Sequence, residues 1–569
     1  MQRMLSSMSS ATVLASLIAL SIGVGCDKTP EEVKPKAKGA TSTTGAATSP
    51  DGDSDDFVAG SKAEFFTTAL AADPETFDTA KMSGAPEGRL AFNLFEGLLM
   101  PGPKTKDLKD AKDLVVPGVA ESFSVSEDGK TYTFQLRADA KWSNGDALTS
   151  EDFVYSWKRI LTPEFPADYV QLLWNIEGAQ AYSEGKESDW GKVGIKAPDA
   201  QTLVVTLTAP TPYFPELVSF YTFFPVPKKA VEAHGDDWTK PENIITNGAY
   251  KLASYKPQQD VILEKSENYW DASNVKLDKV RLRIISDLNT VVKAYQTGEL
   301  HWTGTSLPVA QVSNLVMHPD YVRHALLGTY YYRVNVKADG PLKDNRVRQA
   351  LSMSIDRQQL VNQTMKGLYT EALAFVPNSM PGYESAFTIS PNAMKAKKLL
   401  AEAGYGDDKP LKIKLLYNTD ENHKLVAEAV QAMWKANLGV EVELVNKEWK
   451  TYLQDIDTLS YEVARAGWIG DYNDPMTFLD MWVSGNGNND TGWSNPEYDN
   501  LIQKAQAEPS VRQRRNYLQE AEKLLLEQGP VIPIYFYTNN MLASRKLEGF
   551  HEHNRDIHLF KYMSLPDKK

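Results

Sequence analysis

The chain is poor in the residues that build redox, disulfide and metal chemistry. Its 569 residues include one cysteine and eight histidines. The single cysteine, Cys26, excludes an intrachain disulfide and any multi-cysteine metal or iron–sulfur site. Only "HEHNRDIH" (His551, His553 and His558) has histidine spacing suited to a metal, and we interpret that segment as polar surface near the C-terminus. We therefore expect neither a metal nor a cofactor.

The familiar catalytic motifs are also missing. No G-x-S-x-G or H-E-x-x-H occurs in the sequence. The nearest approach to a phosphate loop, "GKESDWGKV", has one residue too many between its glycines and Val193 in place of the required Ser or Thr. "DYNDPM" begins like a calcium loop, but Pro475 and Met476 occupy positions that need a ligand and a glycine. An enzyme is therefore a hypothesis left open only by default.

Acidic residues outnumber basic residues, 74 to 61. The net charge is -13 and no long basic stripe is present, which argues against a nucleic-acid partner. Hydrophobic residues make up 42% and aromatic residues 10% of the chain. A chain of this length and composition has enough apolar surface for two or three globular lobes.

Long apolar runs are absent beyond the N-terminus. Residues 1–25 combine one Arg with an apolar core of roughly 12–15 residues, a pattern typical of a signal peptide. "SIGVGC" resembles a bacterial lipobox, although Gly23 replaces the usual larger residue, and it predicts a lipidated Cys26. The alternative is a plain signal peptide with an incidental cysteine. Residues 26–60 hold almost no apolar anchors and are predicted to be a flexible tether.

The remaining sequence mixes strand and helix patterns. "SEDGKTYTFQLR" predicts an Asp-Gly hairpin, and "LTSEDFVYSWKRIL" a helix capped by Thr149 or Ser150. "NRVRQALSMSIDRQQLVNQTM" is predicted to be helical. "LKIKLLYN", "ENHKLVAEAVQAMWKANLG" and "VEVELVNKEW" form a strand–helix–strand series that indicates a parallel βαβ unit. The predicted fold class is α/β, in several lobes.

The stretch "ARAGWIGDYNDP" places two opposite charges in an apolar, glycine-rich run. In a regular strand, Arg465, Gly467, Ile469 and Asp471 share one face. At about 3.3 Å per residue the two charges stand roughly 20 Å apart, a spacing that suits an extended ligand with oppositely charged ends. Two structural alternatives remain: Asp471 could cap a helix starting near Pro475, and Arg465 could be a surface residue on an edge strand.

Several segments resemble one family, the extracytoplasmic solute-binding proteins of peptide ABC transporters, and specifically their oligopeptide-binding (OppA-type) members. They include "FNLFEGLL", "KWSNGDALTSEDFVYSWKRI", "TNGAYKL", "VRQALSMSIDRQQLV", "NKEWKTYL" and "ARAGWIGDYNDPMTFLDMW". The resemblance runs from near Ala63 to the C-terminus. It implies a three-lobed periplasmic-binding-protein-like fold (class II, cluster C) that is hinged around a buried ligand. Domain I would take 61–95, 216–323 and 539–569, domain II 96–215, and domain III 324–538.

The resemblance also implies a function. The protein would capture oligopeptides by their termini and backbone and deliver them to the permease of an ABC importer. It would act as a monomer outside the cytoplasm, in the periplasm, anchored to the membrane through Cys26. A murein-peptide receptor, a signalling-peptide receptor and a sensor on the same fold are the alternatives.

The resemblance assigns the site residue by residue. Asp471 would pair with the peptide α-ammonium, Arg465 and His423 with the carboxylate of some ligands, and Lys366 with that of others. Backbone contacts would come from a strand at "MSGAPE" and from "ARAGWI", through Ser83, Ala85, Gly467 and Ile469. Side-chain pockets would be lined by Tyr169, Trp449 and Trp468.

Some of these assignments have alternatives. Ser83 stands where the best-known members carry a glutamate, so a preference for basic side chains is in doubt. His423 could instead be an exposed helix residue, and the two tryptophans could be core.

Overall fold

The computed structural model describes residues 65–103, 114–380, 382–508 and 510–566. Cys26, the predicted signal peptide and the tether lie outside the described residues. The strands are β1 (Phe66–Leu70), β2 (Leu99–Pro101), β3 (Val115–Pro117), β4 (Ala120–Val125), β5 (Thr131–Leu136), β6 (Ile195–Asp199), β7 (Thr202–Thr206), β8 (Tyr250–Lys256), β9 (Asp260–Lys265), β10 (Lys279–Ile284), β11 (Tyr321–Val334), β12 (Thr370–Glu371), β13 (Lys412–Asn418), β14 (Glu441–Lys447), β15 (Val463–Ile469) and β16 (Val531–Leu542).

Helices separate these strands, so the predicted mixed α/β class is confirmed. They are α1 (Ala85–Leu94), α2 (Ser150–Leu161), α3 (Ala179–Ser183), α4 (Phe214–Leu217), α5 (Lys228–His234), α6 (Leu288–Gln296), α7 (Val312–Leu315), α8 (Asn345–Met353), α9 (Arg357–Gln359), α10 (Ala393–Glu402), α11 (Glu421–Leu438), α12 (Trp449–Asp457), α13 (Met476–Leu479), α14 (Pro496–Ala507) and α15 (Val511–Gln528). Among the described helices, none is both long enough and apolar enough to cross a bilayer.

Two four-stranded sheets come from the first half of the sequence. One has the order β1-β10-β9-β8, with β1 parallel to β10. The other has the order β4-β5-β7-β6 and contains the predicted hairpin, in which β4 and β5 are antiparallel and Gly129 takes a φ of +70° in the turn. Helix α2 begins with the predicted cap: Thr149 and Asp152 form a reciprocal capping box.

A six-stranded sheet, ordered β12-β16-β11-β15-β13-β14, comes from the second half. Strands β13 and β14 are parallel and α11 connects them, which confirms the predicted βαβ unit. Along β11, Tyr330 and Tyr332 enter the core on one face of this sheet and Tyr331 enters the core on the other, as the alternation of side chains along a strand requires.

The prediction of a single helix over "NRVRQALSMSIDRQQLVNQTM" is wrong. Helix α8 stops at Met353, and Asp356 caps α9 by accepting a hydrogen bond from the Gln359 N–H (2.8 Å). Aspartate competes for backbone donors in this way and favours a new helix start over continuation. A π-helical turn, Leu360–Thr364, then ends the segment.

Candidate functional site

Two adjoining cavities lie beside the end of β15. The larger has a volume of about 540 Å³ and the smaller about 230 Å³. Six residues line both cavities: Ala85, Arg89, Trp449, Arg465, Tyr537 and Asp556. These residues come from distant parts of the sequence, so the cavities exist only in the folded chain.

Strand β15 presents an open edge to this region. It pairs with β11 along its whole length, from Val463 to Ile469, but with β13 only at Val463 and Ala464. On the other edge, the Arg465 carbonyl accepts from the Tyr452 hydroxyl, and beyond Arg465 no strand in the part of the chain that the structure describes pairs with β15. The Gly470 N–H donates to the Leu327 carbonyl (2.7 Å). Because backbone N–H and C=O groups point to alternate edges along a strand, those of Trp468 and Ala466 also face β11. The backbone groups of Gly467 and Ile469 therefore face the open edge.

Arg465 is held in a cage of polar and aromatic groups. Its Nη2 donates to the Tyr537 hydroxyl (2.8 Å) and its Nη1 to Asn418 Oδ1 (3.3 Å). The guanidinium lies 5.0 Å from the ring centroid of Tyr330. Gly467 faces the same surroundings, since a Cβ there would overlap the Tyr537 hydroxyl and lie 3.1 Å from Arg465 Nη2. The cage fixes a cation at the wall shared by both cavities.

His423 lies near this cation and lines the larger cavity. Burial, reinforced by the Arg465 charge, lowers the pKa of His423 to about 3, so the imidazole is neutral near pH 7. Its backbone N–H donates to Asp420 Oδ1 (3.0 Å) in the first turn of α11. The alternative of an exposed helix residue is wrong, because the side chain is only 13% exposed.

Asp471 lies two residues beyond the last residue of β15, so the expectation that it shares the strand face with Arg465 fails at the strand's end. It is 7% exposed and lines the smaller cavity. Burial raises the pKa of Asp471 well above its ordinary value and Asp480 raises it further, against the opposing effects of Arg555 and of hydrogen bonds from Thr477 and Tyr169. An incoming cation would therefore stabilise the ionised form of this carboxyl group.

The helix-cap alternative for Asp471 does not hold. Asp474 Oδ1 accepts the Met476 N–H (2.9 Å) at the start of α13 and also binds Arg514 Nη2 (2.8 Å). The Asp471 N–H instead donates to Thr477 Oγ1 (2.9 Å). Its side chain is thus left facing the cavity.

The three predicted aromatic residues all line the smaller cavity. Tyr169 lies 6.0 Å from Trp468 between ring centroids, and Trp468 Nε1 donates to the Thr477 carbonyl (2.7 Å). Trp449 begins α12 and stacks on Tyr452 at 5.6 Å. The core alternative is half right for Trp468, which is 9% exposed and belongs to the main core while also lining the cavity.

The predicted strand at "MSGAPE" is wrong. Ser83 and Ala85 do line the smaller cavity, but Ala85 is the first residue of α1, whose early Pro86 suits a helix start. The first N–H groups of a helix have no partner inside the helix. Because Pro86 has no N–H and the Gly88 N–H donates to the Gly84 carbonyl (3.0 Å), the Ala85 N–H is the donor that this helix start offers in place of a strand.

Lys366, the other predicted carboxylate-binding residue, does not line either cavity. It is exposed, takes a φ of +52° and follows the π-helical turn.

The structure adds residues that sequence reasoning missed. Arg89 Nη2 and Asp556 Oδ2 form an ion pair (2.7 Å) in the wall shared by both cavities. Arg89 Nη1 also donates to the Gly304 carbonyl (2.5 Å), and its guanidinium lies 4.5 Å from the ring centroid of Trp302. No local pattern pairs residues 467 positions apart, and the only signal was the density of charge in "HEHNRDIH".

Our interpretation of "HEHNRDIH" as polar surface is wrong. His553 is 1% and His558 2% exposed. His558 stacks on Phe550 (5.1 Å between centroids), and its Nε2 donates to Asp556 Oδ1 (3.1 Å). Burial lowers the pKa of His558 to about 4. Within the described ranges, no group of three or more His, Cys, Asp or Glu side chains has an arrangement that could hold a metal ion.

Comparison with known proteins places this arrangement in a family. Residues 115–490 match the family "Bacterial extracellular solute-binding proteins, family 5 Middle". The oligopeptide-binding protein OppA of Bacillus subtilis (strain 168) is 40% identical over 452 residues, 76% of this chain and 81% of that protein. The periplasmic murein peptide-binding protein MppA of Escherichia coli (strain K12) is 40% identical over 492 residues, 84% of this chain and 88% of that protein.

Solved structures agree with the sequence matches. Haemophilus influenzae OppA in complex with RPPGFSPFR matches with a TM-score of 0.83 at 34% identity, over 88% of this chain and 99% of that one. The unliganded open form of MppA matches with a TM-score of 0.59 at 37% identity, over 88% and 97%. The chain belongs to family 5 of the bacterial extracellular solute-binding proteins.

Proposed function

We propose that this protein captures oligopeptides outside the cytoplasm and delivers them to an ABC-type peptide importer. The observation that carries the proposal is the open edge of β15 at Gly467 and Ile469, which lies beside two adjoining cavities. A cation stands at one end of this edge and a carboxyl group just beyond the other. Peptides have the complementary features: a backbone that can add a strand, an ammonium and a carboxylate.

The chemistry divides among these groups. Gly467 and Ile469 hydrogen-bond the peptide backbone, and Asp471 pairs with its α-ammonium. Arg465, with His423 beside it, receives the carboxylate. Because Arg465 precedes Asp471 in the chain, a peptide held in this way runs antiparallel to β15. The bound ammonium replaces the solvation that Asp471 lacks, which explains why a buried acid is useful at this point.

Other residues complete the proposed contact surface. Ser83 and Ala85 offer backbone groups at the start of α1. Tyr169, Trp449 and Trp468 contribute apolar walls against which peptide side chains pack, with water filling the remaining space. A surface of this kind tolerates many side chains because its specific bonds go to the backbone and termini.

The three-lobed arrangement is part of the proposal. The sheet β1-β10-β9-β8 lies within 61–95 and 216–323, and the sheet β4-β5-β7-β6 within 96–215. The six-stranded sheet falls mainly within 324–538. The lower TM-score with the open form of MppA than with the OppA complex supports lobes that close on ligand.

Membership in the family supports the wider role that we propose. The protein acts as a monomeric binding component with no catalytic step, no cofactor and no nucleic-acid partner. Its partners are the peptide and the permease subunits in the membrane. Lipidation of Cys26 anchors it to the membrane surface, and residues 26–60 span the distance to the folded body.

Mass spectrometry of ligands that co-purify with the protein, followed by calorimetry with tri- to pentapeptides, tests the function. We expect co-purified peptides and binding that needs both free termini. Failure to recover or bind any peptide would overturn the proposal. Murein tripeptide is included because MppA is 40% identical; binding of that ligand alone would favour the murein-peptide alternative.

A further inference from the structure

Arg555 is a buried cation at the end of the site where Asp471 lies. It is 5% exposed and lines the smaller cavity together with Asp471 and Tyr169. Its Nη1 donates to the backbone carbonyl of Asp471. Its Nε and Nη2 have no hydrogen-bond partner in the described part of the chain.

The two unpartnered donors belong together. In a planar guanidinium, Nε–H and Nη2–H point the same way and form one edge of the fork. The two oxygens of a carboxylate match such an edge bidentately. A buried charge whose hydrogen bonds are unmade is costly, and an orphaned donor of this kind calls for an explanation.

The neighbouring acids do not occupy this edge. Glu216 lies near enough to favour the charged form of Arg555, yet its Oε2 accepts from the Asn473 N–H (3.0 Å) and the Asn473 side chain (2.8 Å). The Asp471 carboxyl group accepts from Thr477 Oγ1 (3.4 Å). Glu216 Oε1 is itself buried without a hydrogen-bond partner in the described part of the chain. Both acids therefore balance the charge of Arg555 without a direct hydrogen bond, and its fork is left unfilled.

We propose that Arg555 receives a carboxylate side chain from the first or second residue of the bound peptide. This inference rests on the proposed function and adds a substrate class to it: peptides with Asp or Glu near the amino terminus. Asp471 and Arg555 form a minus–plus pair within one cavity. An ammonium followed closely by an acidic side chain presents the complementary plus–minus pair.

Tetrapeptides of alanine that carry Glu, Gln or Lys at position 1, 2 or 3 test the proposal by calorimetry. With the native protein, we expect Glu to bind at least about tenfold more tightly than Gln at position 1 or 2, the scale of a charge-assisted bond. Position 3 is the matched control and is expected to show no preference. Equal affinities for Glu and Gln at both positions 1 and 2, or a preference for Lys, would overturn the proposal.

Two variants separate recognition from a structural role. Arg555→Gln is expected to bring the Glu-to-Gln ratio close to one, and Arg555→Lys, which keeps the charge but loses the fork, to give an intermediate ratio. A purely structural role would weaken Glu and Gln peptides equally and leave the ratio unchanged, which contradicts the proposal. The native measurement decides the question even if a variant fails to fold. If alanine peptides bind without any side-chain preference, only this inference fails; if none binds at all, the proposed function fails.

Discussion

Replacing Asp471 by asparagine should weaken peptide binding and, in the absence of ligand, stabilise the protein. The substitution keeps the shape of the side chain but removes the charge that faces the peptide ammonium. A hydrogen bond to a charged group contributes about 1.5–3 kcal/mol, so the dissociation constant for a free peptide should rise about 10- to 150-fold. N-acetylated peptides, which lack the ammonium, should bind the native protein and the variant alike.

The same substitution should stabilise the protein without ligand. Burial raises the pKa of Asp471 in the folded state above its value in the unfolded chain. Between those two values the folded protein retains a proton that the unfolded chain has lost, so stability falls as pH rises through this window. Asparagine does not titrate, so the variant does not lose stability in this way as pH rises. We expect Asp471→Asn to raise the free energy of unfolding at pH 7 by about 0.5–2 kcal/mol, as substitutions that remove functional strain commonly do.

The assay is a double-mutant cycle between the protein and its ligand. Calorimetry compares free and N-acetylated peptides on the native protein and on Asp471→Asn, and urea unfolding compares their stabilities. Asp480→Asn is the matched control, because Asp480 is a neighbouring half-buried acid that accepts from the Tyr472 hydroxyl (3.1 Å) and does not line either cavity. If the native protein bound acetylated and free peptides equally, or if only Asp480→Asn removed the discrimination, our assignment of Asp471 would be wrong.

Four further outcomes can be measured. Peptide binding should release protons below the raised pKa of Asp471, so affinity should rise with pH; calorimetry in buffers of different ionisation enthalpy detects this, and proton uptake would contradict it. Arg465→Ala should weaken short peptides most, with C-amidated peptides as controls; unchanged affinity at every length would remove Arg465 from the site. Gly467→Ala should destabilise the protein by about 1–3 kcal/mol in urea unfolding, because the added methyl group overlaps the Tyr537 hydroxyl. An unchanged urea midpoint would show that the Tyr537 side chain moves aside and would contradict this prediction. Cys26→Ser should move the protein from the membrane to the soluble fraction of the cell; continued sedimentation with membranes would count against lipidation.

Local patterns predicted the local structure well. The Asp-Gly hairpin, the Thr149 cap and the βαβ unit each depend on residues close together in sequence, and each appears in the structure. The failures also have local causes. Asp356 restarts a helix within an otherwise continuous helical pattern. An early proline favours a helix at Ala85, where the resemblance implied a strand.

The candidate site was predictable only in part. The alternation of side chains along a strand predicted that Arg465, Gly467 and Ile469 share one face, and the structure places all three beside the cavities. The same rule failed for Asp471, because β15 ends two residues earlier. Burial of "HEHNRDIH" was missed because its composition is polar. His558 packs against the nearby Phe550 and against Trp302, and Trp302 lies far outside any local window around this histidine.

From the sequence we could predict the class of the fold, the family and the charged residues at the end of β15, because these follow from periodicity, motif order and residue identity. The folded chain alone shows which edge of β15 stays open, which residues surround Asp471, and that Arg89, Arg555 and Asp556 all line the smaller cavity. The physical reason is separation along the chain. Local patterning specifies how a segment folds, whereas the burial and electrostatic surroundings of a side chain depend on segments hundreds of residues away.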